Sequence, residues 1–296
     1  MDDSTVFLIW LSYGIPTLLV TVFLIVLLSR HKKFSSPFYR LIQCNLTVDI
    51  CCYLNTWLSR IANSSDFAFL LAPIYHHARP VLMISSALGH WFFHVQSGCL
   101  LMLFLFRFTV IKYPKAANNW SKYYPLAYSV LLLYATLLSI PFVLINGLDV
   151  LTYNESTRAF SRYVDGWNRF CYIINIESGL YILITIAVYV STTRNIRQTF
   201  SSDSATLLAF KSKMLRLLAL DMVIHVLLLF WEFLSIATRF PLESRMNLLF
   251  CVSDVMSLST PIWFLFLDEN VIKVFWYSVC CLHDKQESNG IAANVF

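Results

Sequence analysis

Residues 6–28 read VFLIWLSYGIPTLLVTVFLIVLL and contain no charged side chain. A run of about 20 mostly apolar residues is long enough to cross a bilayer as one helix. The chain before this run is acidic, and the run leads into Arg30, His31, Lys32 and Lys33 without the small-residue pattern of a cleavage site. These features indicate a retained first membrane helix rather than a cleaved signal peptide.

The composition of the whole 296-residue chain also indicates a membrane protein. Hydrophobic residues make up 58% and charged residues 13%, with a mean hydropathy of +0.64, whereas soluble domains average about 25% charged residues. The net charge of +5 is spread in small clusters, which suits membrane orientation and argues against a nucleic-acid partner. The eight cysteines include no CxxC pair, so they predict neither a disulfide framework nor a zinc motif.

Six further apolar runs follow the first, and together they predict an all-α membrane protein. We expect one domain over residues 1–282, built as a bundle of seven transmembrane helices. The helices are expected at 6–28, 38–58, 81–106, 124–145, 170–190, 215–237 and 248–267. Residues 268–282 open with two acids and carry an apolar side, so they predict a short helix on the cytoplasmic membrane surface. Residues 283–296 would form a short cytoplasmic tail.

The distribution of Lys and Arg predicts an N-terminus outside the cell and a C-terminus inside. With that orientation, 15 of the 22 basic residues fall in cytoplasmic segments. An excess of Lys and Arg in cytoplasmic loops sets membrane topology. The odd number of helices and the lack of an internal repeat argue against two equal inverted halves, as many transporters have.

Five of the predicted helices carry a stripe of polar side chains. Ionisable groups within a membrane are costly, so each is a functional candidate by default. The stripes include Asn45 and Asp49, His90 and His94, Glu177 and Tyr181, Asp221, His225 and Glu232, and Asp254 with Pro261. Two interpretations remain open, because these groups can hold the helices together by hydrogen bonds or can line a ligand site.

The candidates for ligand contact fall in the outer half of the predicted bundle, where a molecule can enter from outside. Three of them are acids near the outer ends of their helices, and few bases share that depth, which favours a cationic or hydrogen-bond-donating ligand. The candidates are His90, His94, Glu177, Tyr181, Glu232 and Asp254.

His90 and His94 have the i, i+4 spacing with which two histidines on one helix face can bind a metal. The remaining histidines do not complete a cluster, since His76 and His77 fall in an outer loop and no HxxHH run exists. We therefore expect no metal and no cofactor. The chain also lacks GxSxG, HExxH and Gly-rich phosphate-loop motifs, so we do not expect an enzyme.

Basic residues cluster at the predicted cytoplasmic ends of the helices. They follow the third helix and flank the linker between the fifth and sixth: Arg107, Lys112, Arg194, Arg197, Lys211 and Lys213. Such a patch would suit a partner helix laid into a groove. Membrane topology alone also explains these charges, and an arginine at a helix end can snorkel to the interface.

Four short motifs, in this order and spacing, resemble those of the nematode serpentine chemoreceptors of class gamma. They are SPFYRLIQ (36–43), YLNTW (53–57), FRFTVIKYP (106–114) and STPIWFL (259–265). The resemblance covers essentially the whole chain. It implies a receptor similar to G-protein-coupled receptors, which binds an external small molecule or peptide and activates a heterotrimeric G protein. It also implies residence in the plasma membrane of a sensory neuron or its cilium.

Two positions depart from the pattern of rhodopsin-like receptors. Phe106, Arg107 and Phe108 stand where those receptors commonly carry Asp-Arg-Tyr, so Arg107 lacks the adjacent acid as its resting-state lock. Thr260 precedes Pro261 where they carry Asn-Pro. The residues themselves leave two other functions open, a small transporter or channel with a hydrated interior and a membrane enzyme with a histidine-bound metal.

The predicted topology also assigns modification sites. Asn63 and Asn154 begin Asn-x-Ser sequons in outer loops, whereas Asn119 begins one on the cytoplasmic side. We expect a glycan on Asn154, less efficiently on Asn63, and none on Asn119. Cys280 and Cys281 follow the predicted surface helix and suit reversible palmitoylation.

Overall fold

The computed structural model describes most of the chain as a bundle of helices. The described residues are 3–64, 66–113, 115–146, 151–162, 164–199 and 242–279, with single positions at Val223, Val226, Leu227 and Phe230. The sixth predicted span (215–237) is described only at those four positions, and the predicted tail (283–296) lies outside the described residues.

Seven α-helices make up most of the described ranges, which confirms the all-α membrane fold. They are α1 (Asp3–Arg30), α2 (Pro37–Asn63), α3 (Ala72–Lys112), α4 (Ala116–Asn146), α5 (Val164–Thr199), α6 (Leu242–Leu267) and α7 (Glu269–Val279). Two 3₁₀ turns, Lys32–Phe34 and Ala68–Leu71, lie on either side of α2. Strands β1 (Leu151–Asn154) and β2 (Ala159–Arg162) lie between α4 and α5.

Five of the described helical segments are long and apolar enough to cross a membrane. They are Ser4–Arg30, Ala68–Val110, Ala116–Pro141, Tyr172–Arg194 and Leu249–Phe266. α2 is less apolar because it contains Asn45, Asp49 and Arg60, and all three side chains are buried. A membrane helix tolerates such groups when they face the bundle interior.

Helices α1 to α6 all extend beyond the apolar runs that predicted them, and α2 and α3 show this clearly. α2 continues to Asn63 rather than ending at 58, and α3 begins at Ala72 rather than at 81. α3 bends at Ala78, whose backbone angles (φ −143°, ψ 40°) are not helical. Pro80 follows directly after this bend, and a proline inside a helix removes a backbone hydrogen bond and kinks it.

α3 is the central helix of the described bundle. Two-thirds of its most apolar segment is buried, against a third or less in the other four spans. Large apolar side chains on α1, α4 and α5 are exposed instead, among them Leu19, Leu137 and Leu183. In a bilayer these exposed faces contact lipid, where apolar side chains need no cover.

The main hydrophobic core fills the half of the bundle that the sequence assigns to the cytoplasmic side. It joins α1, α2, α3, α4 and α6 through side chains that include Leu28, Leu41, Phe106, Tyr128 and Phe264. Burial of such side chains contributes about 1.5–3 kcal/mol each in an aqueous reference state. Within a bilayer, close packing of this kind is the main force that holds helices together.

α7 is fastened to this core. Val271 is fully buried, and the Phe275 ring lies 5.2 Å from that of Phe23 in α1. Asp268 caps the helix, because its carboxylate accepts hydrogen bonds from the backbone N–H groups of Asn270 (2.9 Å) and Val271 (3.2 Å). A carboxylate at this position satisfies otherwise unpaired helix donors.

A β-hairpin, which the sequence-based prediction lacks, covers the first turn of α3. β1 and β2 pair antiparallel, and their aromatic side chains pack against Tyr75. The ring of Tyr75 lies 5.6 Å from that of Phe160 and 6.1 Å from that of Tyr153. Nε2 of His76 lies 3.3 Å from a carboxylate oxygen of Glu155. The hairpin therefore rests on the end of the bundle that the sequence assigns to the outside.

Candidate functional site

A polar cluster joins α3 and α5. His90 and His94 lie one turn apart on α3, and both side chains are fully buried. Oε2 of Glu177 in α5 lies 2.9 Å from Nε2 of His90 and 3.4 Å from Nε2 of His94. The Glu177 side chain keeps 20% of its surface exposed, so it is the partly exposed member of the cluster. The structure thus brings three of the sequence-predicted ligand contacts into one site.

Two tyrosines extend this cluster. The hydroxyl of Tyr181, one turn after Glu177, lies 3.1 Å from Nδ1 of His94 and donates to the hydroxyl of Tyr134 in α4 at 3.3 Å. The tautomer of His94 decides which atom donates in the contact between Nδ1 and the Tyr181 hydroxyl. Nε2 of His94 faces the carboxylate of Glu177.

Asp254 belongs to a second cluster, formed by α1, α2 and α6. Its carboxylate pairs with the buried guanidinium of Arg60 and accepts a hydrogen bond from the Tyr13 hydroxyl. The guanidinium carbon also lies 4.8 Å from the ring centroid of Trp10 and 5.1 Å from that of Trp57. Aromatic faces attract cations at such distances. The positive charge of Arg60 is therefore balanced by the Asp254 carboxylate and further stabilised by the aromatic rings.

The second cluster changes the charge expected in the outer half of the bundle. Arg60 balances Asp254, and two histidines face Glu177. Of the three acids that favoured a cationic ligand, two therefore already have partners. The third, Glu232, lies outside the described residues. The preference for a cationic ligand loses its basis in the described part of the chain.

A third polar group lies deeper between α2, α3 and α6. The Gln96 amide donates to Oδ1 of Asp49 at 2.8 Å and to the Ser257 hydroxyl at 3.0 Å. All three residues are buried, as is Asn45 one turn before Asp49. Pro261 is buried one turn further along α6. These hydrogen bonds join α2, α3 and α6, as expected if the polar groups hold the bundle together.

Arg107 is buried at the end of α3 that the sequence assigns to the cytoplasmic side. It is 6% exposed, and its guanidinium carbon lies 4.8 Å from the Phe38 ring centroid. The side chain is packed against α2 in this arrangement and does not extend to solvent. Lys112 and Arg194 are exposed, by contrast. The Arg197 side chain lies outside the described part, as do Lys211 and Lys213.

The predicted glycan acceptors differ in exposure. Asn154 is exposed at the end of β1, where its Oδ1 accepts hydrogen bonds from the backbone and hydroxyl of Ser156. Asn63 ends α2 and is half-buried, with its amide 3.4 Å from Asn247. Asn119 is exposed in α4. Glycosylation of these residues stays a prediction.

The other predicted site residues lie outside the described residues. They include the polar stripe of the sixth predicted span and the cysteine pair proposed for acylation: Asp221, His225, Glu232, Cys280 and Cys281.

Sequence reasoning missed four residues of these clusters: Tyr13, Arg60, Gln96 and Tyr134. Arg60 had a usable signal, because it lies eleven residues after Asp49 and so shares its helix face. Because the predicted second span ends at 58, Arg60 was placed in a loop and was not considered as a residue of the bundle interior. A lone tyrosine or glutamine in an apolar helix carries no comparable signal.

The sequence matches known receptor sequences over nearly its whole length. Residues 7–275, which run from within α1 into α7, match the Srg family of chemoreceptors. The chain is 28% identical over 271 residues to serpentine receptor class gamma-53 of Caenorhabditis elegans, covering 90% of this chain and 89% of the relative. It is 32% identical over 135 residues to serpentine receptor class gamma-47 of the same organism, covering 44% of each.

Proposed function

Because this chain belongs to the Srg family of chemoreceptors, we propose that it binds an external small molecule or peptide in the outer half of its bundle and activates a heterotrimeric G protein. It is a multi-pass membrane protein, and the proposal locates it in the plasma membrane of a sensory neuron or its cilium. Its family is one of receptors rather than a class of enzymes.

The ligand part of the proposal rests on the partly exposed cluster of His90, His94 and Glu177 between α3 and α5. A polar group that serves only to hold helices together is best enclosed, whereas Glu177 keeps a fifth of its side-chain surface exposed. A ligand with a hydrogen-bonding group can replace one contact of Glu177 with His90 or His94. Because these contacts join two helices, the exchange favours a different α3–α5 arrangement, and a ligand shifts an equilibrium through such differential contacts.

Arg107 supports the coupling part of the proposal. In this structure its guanidinium packs against the Phe38 ring. When α3 moves relative to α2, the guanidinium can reach the backbone carbonyls at the C-terminus of a partner helix. Lys112 and Arg194 are exposed and add positive charge that attracts such a helix end.

A transporter or channel is the weaker alternative. Conduction would need a hydrated path from Asp49 to the cytoplasmic side, and the hydrophobic core with Leu41, Phe106 and Phe264 fills that half of the described bundle. Ion or solute flux into vesicles that contain the purified chain would favour this alternative.

The receptor proposal is tested with a ligand panel and a G-protein-activation readout in cells that express the chain. We expect the Glu177→Gln and Glu232→Gln variants to lose response, by at least about tenfold in half-maximal ligand concentration, while surface expression stays normal. Glu155→Gln is the matched control, since Glu155 is an exposed acid of the hairpin, and it should respond like wild type. Parallel loss of response and of surface protein would assign the acids a structural role instead.

A further inference from the structure

The polar cluster between α3 and α5 has the donor atoms of a metal site. One ring nitrogen from each of His90 and His94 and one carboxylate oxygen of Glu177 lie within 4.8 Å of one another. The two imidazole rings are 4.5 Å apart and nearly perpendicular, at 86°. A four-coordinate zinc ion with bonds of about 2.0–2.2 Å separates its ligand atoms by about 3.3–3.5 Å.

The observed spacings are close to that requirement. The Glu177 oxygen lies 3.4 Å from Nε2 of His94, which already fits, and 2.9 Å from Nε2 of His90. A small rotation of the His90 ring would open the second spacing by the few tenths of an ångström needed. The two spacings that join α3 to α5 therefore need little change to admit an ion.

The contact with Tyr181 leaves Nε2 of His94 in position to bind a metal ion. Nδ1 of His94 lies 3.1 Å from the Tyr181 hydroxyl, while Nε2 lies 3.4 Å from the carboxylate oxygen of Glu177. In the tautomer with the hydrogen on Nδ1, the lone pair of Nε2 points at that oxygen, and an ion between the two atoms would bind both. The His94 side chain is fully buried, so these donor atoms are enclosed.

We propose that His90, His94 and Glu177 form a three-ligand site for a divalent transition metal, with Zn²⁺ as the best-fitting ion. Two imidazoles and one carboxylate are a donor set that Zn²⁺ accepts, with a fourth position left for water or another ligand. Imidazole donors disfavour Mg²⁺ and Ca²⁺, which prefer oxygen ligands. The bound ion links α3 to α5 and restrains their relative movement.

An aromatic side chain packs against the cluster. The ring centroid of Phe93 lies 5.3 Å from that of His94 and 5.9 Å from that of Tyr181. The same donor set serves Fe²⁺ where three coordination positions stay open. Tyr181 orients His94 through Nδ1, in the manner of the outer-shell partners that fix metal-binding histidines. Glu177 is the partly exposed ligand of the three, with 20% of its side-chain surface accessible.

The sequence alone predicted no metal, because the third ligand, Glu177, comes from a different helix and completes the site only in the folded bundle. It is independent of the proposed receptor function, since the metal is measured on purified protein without ligand or G protein. A negative result would leave the receptor proposal unchanged.

The test uses the full chain, purified in nanodiscs, stripped with EDTA and dialysed against micromolar Zn²⁺. Metal bound after dialysis is counted by mass spectrometry. We expect about one Zn²⁺ per chain, loss of binding in the His90→Ala/His94→Ala double variant, and about 10–100-fold weaker binding in Tyr181→Phe. The control replaces His76 and His77 by Ala, which removes two exposed histidines and should leave the count unchanged.

Co²⁺ supplies a readout that needs no variant and therefore survives a variant that fails to fold. In the wild-type chain we expect the strong visible absorption of four-coordinate Co²⁺, abolished by added Zn²⁺. Three results would each overturn the site: no Zn²⁺ retained after the dialysis, binding unchanged in the folded double variant, or only the weak spectrum of solvated Co²⁺. Retention of Fe²⁺ in preference to Zn²⁺ would overturn the choice of ion.

Discussion

Replacing Asp254 by Asn is expected to destabilise the bundle strongly, because the buried guanidinium of Arg60 loses its counter-charge. The two side chains are 0% (Arg60) and 4% (Asp254) exposed, so water cannot take the place of the carboxylate. Removing one partner of a buried ion pair costs about 3–5 kcal/mol. At about 2–4 °C per kcal/mol for chains of this size, the midpoint of thermal unfolding should fall by about 6–20 °C.

The assay is thermal unfolding of the purified full chain, followed by intrinsic fluorescence. Asp66→Asn is the control, because Asp66 is an exposed acid near the same end of α2, and it should change stability by less than about 0.5 kcal/mol. An Arg60→Met/Asp254→Leu double variant should recover most of the loss, since both charges leave together. An Asp254→Asn protein that unfolds at the wild-type temperature but no longer responds to ligand would refute the structural role.

Three further predictions concern the two membrane faces. Arg107→Ala should abolish G-protein activation and leave ligand binding nearly intact, measured at matched surface expression; wild-type signalling would reduce this arginine to an interfacial anchor. Asn154 should carry a glycan that glycosidase removes with a shift in electrophoretic mobility, and Asn119 should carry none; a glycan on Asn119 would invert the topology. Acyl-exchange labelling should detect fatty acid on Cys280 and Cys281, because two chains anchor far better than one; labelling that persists in the double Cys→Ala variant would contradict this.

Local composition was sufficient to locate most of the helices. The uncharged run at 6–28 appears in the structure inside α1, and the run at 124–145 inside α4. The ends of α2 and α3 were placed too far inward, because hydropathy reports where lipid contact stops and not where helical hydrogen bonding stops. Polar and small residues continue a helix beyond the apolar region whenever the backbone can still pair.

Only part of each polar cluster could be predicted from the sequence, because local spacing does not show which helices pack together. The spacing of His90 and His94 places both on one face of a helix, which follows from helical periodicity alone. That Glu177 meets them, or that Arg60 meets Asp254 across 194 residues of sequence, depends on how whole helices pack. A single sequence contains no local pattern for such pairings.

The hairpin on the first turn of α3 forms part of the outer surface of the protein and is held separately from the packed helices. Its own strand pairing and a few aromatic contacts hold it in place, while Thr152, Glu155 and Thr157 point their side chains outward. Exposed positions of this sort change stability by less than about 0.5 kcal/mol when substituted. The outer surface of the hairpin can therefore change in charge and size while the helices beneath it stay folded.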